Sequence, residues 1–131
     1  MKKAPLLHAE LSHLIATLGH GDSVVIADAG LAVPPGTRCI DLALTRGVPS
    51  FEQVLDAVLS EMCVQRAECA TEFSTHSPQL ATVLRARLGD SALKSIAHDA
   101  LKRQSSLARA IVRTGECTPY ANVILYAGVV F

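Results

Sequence analysis

Two segments carry the polar residues best placed for chemistry. Leu18-Gly19-His20-Gly21-Asp22 leads into the apolar run Ser23 to Ala27, which ends on Asp28. Arg113-Thr114-Gly115-Glu116-Cys117-Thr118-Pro119-Tyr120-Ala121-Asn122 leads into a second apolar run, and Asn122 is the only asparagine in the chain. Polar groups at the ends of buried strands are where open α/β sheets build their sites. The set offers a histidine, a carboxylate, a phenol and an amide, with no metal quartet and no activated nucleophile. That chemistry is proton transfer on a polar ligand. A histidine exchanges protons near neutral pH, and positioned acid–base groups contribute roughly 10²–10⁴-fold. Structural roles are equally open to these residues taken singly. His20 follows a helix-ending glycine, Asp28 and Asn122 suit turns, and Tyr120 can simply pack.

The elements that must position them are legible in the spacing. Leu7, Leu11, Leu14, Ile15 and Leu18 recur at helical intervals, and Gly19 ends that helix. Ser23 to Ala27 reads as a buried strand, and Val33 to Thr37 as a loop. Cys39 to Leu44 reads as a second strand. Ser50 and Gln53 form a capping box for a helix with an apolar stripe of Phe51, Val54, Leu55, Val58, Leu59 and Met62. Val64 to Ala70 is a half-exposed strand. Ser77-Pro78 opens a helix that Gly89 closes. Leu93 to Ala97 is a weak strand, and Asp99 is expected to cap a short helix. Ala110 to Arg113 and Val123 to Ala127 are the last strands. This alternation predicts one α/β domain over residues 1–131, a mainly parallel or mixed sheet covered by helices.

Composition narrows the function classes. Twelve basic residues balance twelve acidic ones, which argues against nucleic-acid binding. No apolar run reaches the ~18 residues of a membrane span. The first ten residues lack a signal-like apolar stretch, since His8 and Glu10 interrupt it, so a cytoplasmic location is expected. Half the residues are hydrophobic and the mean hydropathy is +0.32, an excess for so short a chain. Burial between subunits is its natural destination, so a homo-oligomer is expected. Cys39, Cys63, Cys69 and Cys117 show no metal or redox spacing and read as buried, reduced thiols. Asp41, a carboxylate in an apolar strand, is expected to pair with Arg38 or Arg46 or to line the site edge. His8, His13 and His76 read as structural.

L-G-H-G-D, A-D-A-G-L-A-V-P, R-C-I-D-L-A-L-T-R-G-V-P-S-F and R-T-G-E-C-T-P-Y-A-N-V-I-L-Y-A-G-V together resemble the ribose pyranase / L-fucose mutarotase family. The resemblance runs essentially end to end and is weakest between Ser74 and Arg109. It implies a ring-shaped homo-oligomer, often a decamer, that interconverts the β-pyranose and β-furanose forms of D-ribose without metal or other cofactor. The family's proton donor matches His20. Its substrate-binding residues match Asp28, His98, Tyr120, Ala121 and Asn122, the last three approaching the site from a neighbouring subunit. His98 rests on its spacing to Arg113. Gly30 and Ala121 stand where fucose mutarotases carry a histidine and the glycine of Y-G-N, which favours the ribose branch. The alternatives are a mutarotase for L-fucose or another sugar, a non-catalytic sugar-binding module, and a hydrolase with zinc on His20, Asp28 and His98.

Overall fold

Short apolar strands separated by amphipathic helices assemble into one mixed sheet, in a computed structural model that describes residues 1–131. The elements are α1 (Ala9–Ala16), β1 (Ser23–Ala27), β2 (Cys39–Asp41), α2 (Phe51–Leu59), β3 (Val64–Ala70), α3 (Thr71–His76), α4 (Pro78–Leu88), β4 (Leu93–Ile96), α5 (His98–Ser105), β5 (Ala110–Arg113) and β6 (Val123–Ala127). The strand order is β2-β5-β1-β6-β3-β4. β1 runs parallel to β5, β5 to β2, and β3 to β4. β6 is antiparallel to both β1 and β3 and joins the two parallel groups.

The centre of the sheet is dry. Every residue of β1 is buried, as expected for a strand covered on both faces. Its neighbours Ile111, Val112, Ile124 and Leu125 are fully buried, and Phe51, Leu55, Phe73, Leu84 and Leu101 of the helices close over them. The Ser50–Gln53 capping box forms as the sequence predicts. No helix is long and apolar enough to cross a membrane.

Three local expectations need correction, and one helix was not foreseen. β2 stops at Asp41 rather than Leu44, because the Asp41 carboxylate accepts the Ala43 N–H at 3.0 Å and turns the chain, leaving Leu44 82% exposed. α3 was hidden by the strand before it, whose last residue serves as its N-cap without a side-chain hydrogen bond. α5 begins at His98 and is not capped by Asp99. Instead the Glu72 carboxylate, from α3, accepts the His98 N–H at 3.1 Å. Of the four thiols only Cys69 is buried, and its burial pushes the thiol pKa up.

Because β1 and β6 are antiparallel, opposite ends of the two strands meet at each of two edges of the sheet. The C-terminal end of β1 and the N-terminal end of β6 meet at one of them, with Asp28 and Asn122. At the other lie the N-terminal end of β1 and the C-terminal end of β6, with His20. The five strand residues between them span about 17 Å.

Candidate active site

The site is built where β1 and β6 meet. Asn122 precedes β6 and is fully buried. Its Oδ1 accepts the Asp28 N–H at 2.8 Å, and its Nδ2 donates to Asp28 Oδ2 at 2.9 Å. The other carboxylate oxygen, Oδ1, accepts the Gly30 N–H at 2.9 Å. Asp28 is therefore held on both oxygens while remaining part-exposed. Such hydrogen bonds to an ionised group are about twice as strong as neutral ones.

Tyr120 has φ +62°, uncommon for a residue with a Cβ and typical of functional sites when it occurs. The turn is held by the Asn122 N–H donating to Tyr120 O at 2.8 Å. It carries the ring over His98, edge to face at 4.9 Å between centroids. His76 lies on Tyr120 at 5.0 Å. Asp28, His98 and Tyr120 line a cleft of about 280 Å³ with Gly30, Leu31 and Lys102. His98 Nδ1 is buried with no hydrogen-bond partner, an arrangement that calls for an explanation. Ala121 is fully buried in the core, backbone included, and does not line this cleft.

The loop before Tyr120 is tied down as firmly. Thr114 Oγ1 donates to Ala27 O at 2.8 Å and accepts the Glu116 N–H at 3.1 Å. Ala29 N–H donates to Glu116 O at 2.7 Å. Burial pushes the Glu116 carboxyl up. Hydrogen bonds from the Thr118 hydroxyl and the N–H groups of Phe51, Thr118 and Cys117 outweigh that and hold it below its ordinary value. Arg113 donates to Ala29 O at 3.0 Å and forms an ion pair with Asp41 at 2.9 Å. Asp41 is thus partnered by Arg113, its neighbour across β2 and β5, and not by Arg38, which pairs with Glu10. At Gly115 a Cβ would stand 2.6 Å from Thr45 O, so this close crossing of two backbones requires glycine.

His20 is absent from this cluster. It is exposed at the opposite edge, where Nε2 is 2.7 Å from Gln65 Oε1. Within one chain, Tyr120 and Asn122 stand with Asp28 and His98, and His20 is the residue set apart. Within one chain the zinc triad of His20, Asp28 and His98 is consequently not assembled, and no other group of three His, Cys, Asp or Glu side chains of the chain is disposed to hold a metal. Sequence reasoning missed Lys102, which lines the cleft and was findable, because it lies one helical turn beyond His98. His76, read as structural, packs on Tyr120 and does not line this cleft.

This geometry has close counterparts. Residues 1–130 match the RbsD / FucU transport protein family. The chain belongs to that family. A RbsD / FucU relative from Variovorax paradoxus (strain S110), named D-ribose pyranase, is 54% identical over 133 residues and covers all of both chains. Among solved structures, Bacillus subtilis RbsD complexed with D-ribose superposes with a TM-score of 0.96 at 40% identity over the whole of both chains. The fucose mutarotase of Streptococcus pneumoniae, in complex with L-fucose, shares the RbsD / FucU fold at a TM-score of 0.78 and 24% identity, again over both full chains.

Proposed function

We propose that this protein is a D-ribose pyranase, an isomerase that interconverts β-D-ribopyranose and β-D-ribofuranose. The observation that carries the reading is the full-length 54% identity to a protein of that name. The 0.96 superposition on a relative complexed with D-ribose supports it.

The chemistry asks little of the protein. The pyranose is a cyclic hemiacetal. Removing the proton of the anomeric hydroxyl and delivering one to the ring oxygen opens it to the aldehyde. Attack of the neighbouring hydroxyl on that aldehyde, with the reverse proton movements, closes the furanose. No bond to protein forms, and no metal or redox group is called for. His20, which the family resemblance matches to the proton donor, is the acid/base, and its imidazole suits the task of giving and taking a proton near neutral pH. Asp28 receives sugar hydroxyls, held in place by Asn122 and Gly30. Tyr120, His98 and Lys102 bind the remaining hydroxyls, and the unpaired His98 Nδ1 is one group a hydroxyl could satisfy.

His20 lies a strand's length from this cleft, so the working site is composite. His20 of the partner subunit enters the cleft of Asp28, His98 and Tyr120. The surface is suited to that arrangement. Leu107, Val130 and Phe131 are exposed at the His20 edge, and Leu44 and Val48 at the Asp28 edge. Contacts between unlike edges repeat head to tail and close into rings when the rotation allows, consistent with a ring-shaped homo-oligomer such as a decamer. A cytoplasmic location suits such a sugar-handling enzyme.

The test is magnetisation-exchange NMR on D-ribose and on L-fucose, with the purified protein and its His20→Ala variant. Pyranose–furanose exchange on ribose should accelerate and should fall at least ~10-fold in the variant. Acceleration on fucose alone would reassign the protein to the mutarotases. No acceleration on either sugar would leave a binding module.

A further inference from the structure

The His20 edge contains a device of its own, centred on Gln65. In the β3–β6 ladder Val64 pairs with Ala127 and Arg66 with Tyr126, so Gln65 is an extra residue in β3. A bulge of this kind re-aims the side chain it carries and is over-represented beside active sites. Here the re-aimed amide meets His20 Nε2 at 2.7 Å. The backbone beneath it is fixed. Gly128 N–H donates to Cys63 O at 2.9 Å, and a Cβ at Gly128 would stand 3.1 Å from the Gln65 Cβ. Glycine at 128 thus lets the bulge pack tightly against the end of β6.

We propose that Gln65 is a positioning residue that holds the His20 imidazole with its proton on Nε2, leaving Nδ1 to exchange protons with the sugar. An amide oxygen only accepts, so the imidazole nitrogen facing it must donate. The hydrogen bond made by one ring nitrogen fixes the state of the other. A neutral imidazole locked this way presents Nδ1 as a base, takes a proton from one sugar hydroxyl and returns it to the ring oxygen. The amide keeps this lock without adding charge. The other ionic groups of this edge are engaged elsewhere. Asp22 accepts the Gly19 N–H at 2.9 Å and lies 3.4 Å from Arg109, while Arg66 pairs with Glu68 on the far side of the bulge.

This inference rests on His20 being the acid/base, and its test separates the two. The full-length protein is labelled with ¹⁵N at histidine, and the His20 ring signals are assigned by their loss in His20→Ala. Wild type should show the Nε2–H tautomer, Gln65→Met a mixture of tautomers, and Gln65→Glu the Nε2–H form again. Ribose exchange in Gln65→Met should lose about 3- to 10-fold in kcat, the scale of one hydrogen bond, with KM little changed. An unchanged tautomer in Gln65→Met, or an Nδ1–H form in wild type, overturns the lock. Full exchange activity in His20→Ala overturns the role of His20 and leaves the tautomer result standing.

Discussion

Asp28 and Asn122, 94 residues apart in the chain, hold each other by two hydrogen bonds, one through the Asp28 backbone and one through its side chain. The pair closes the junction of β1 with β6 and fixes the carboxylate that faces the cleft. Asn122 is fully buried, so solvent does not compete for these hydrogen bonds. Asn122→Ala would leave the Asp28 N–H without its partner, at a cost of about 1–3 kcal/mol. Equilibrium urea unfolding should show that loss, and sugar exchange should fall further than the stability change explains. Unchanged exchange kinetics in a folded Asn122→Ala protein would show that Asp28 needs no support.

Tyr120 is constrained from both sides, by His76 on one hand and His98 on the other. Tyr120→Ala removes a ring that both covers the cleft and packs on two imidazoles, while Tyr120→Phe removes only the hydroxyl. A hydrogen bond to the ligand contributes about 0.5–1.5 kcal/mol net. Ribose affinity measured by titration calorimetry should therefore weaken in Tyr120→Ala by up to about tenfold. A smaller loss in Tyr120→Phe would divide the effect between ring and hydroxyl. Equal affinity in all three proteins would reduce Tyr120 to packing.

Glu116 links the site loop to the start of α2, because its carboxylate accepts the Phe51 N–H at 3.1 Å. Its folded pKa lies below the ordinary value. A carboxyl lowered on folding stabilises the fold above its unfolded pKa, and that contribution disappears as pH falls through the folded value. Glu116→Gln should be less stable than wild type at neutral pH. The gap should narrow on acidification below about pH 4.3, the unfolded value for Glu. Urea midpoints taken from neutral to acid pH check this, and a gap independent of pH would remove Glu116 as its source.

The strands that carry the site were legible because apolar runs bounded by Gly, Pro and charged residues have few other readings. β1, β3, β5 and β6 stand where their composition puts them, and the Ser50–Gln53 pair announced α2. What stayed hidden depends on long-range contact. α3 follows β3 without a break, and the start of α5 is set by Glu72, a residue 26 positions away. The partner of Asp41 comes from strand register, which no local spacing records. The candidate site was half legible. Its residue types could be read one by one, and a family resemblance grouped them. That His20 and Asp28 stand at opposite ends follows from their flanking β1; that Tyr120 and Asn122 join Asp28 follows only from β6 running antiparallel to β1, a fact of topology.

That division makes the strongest prediction about assembly. If His20 of one subunit serves the cleft of the next, two crippled chains can repair each other. His20→Ala supplies an intact cleft, and Asp28→Asn supplies an intact His20. Each variant alone should be nearly inactive. Co-expressed at equal levels and mixed at random around a ring, they should recover roughly a quarter of wild-type exchange, because a site needs one subunit of each kind in the right order. Native mass spectrometry would establish that mixed oligomers form, and magnetisation exchange on ribose would read the recovery. Mixed oligomers without recovered activity would mean that His20 and Asp28 must come from the same chain. A separation of about 17 Å along β1 could then be bridged only by rearrangement within the subunit.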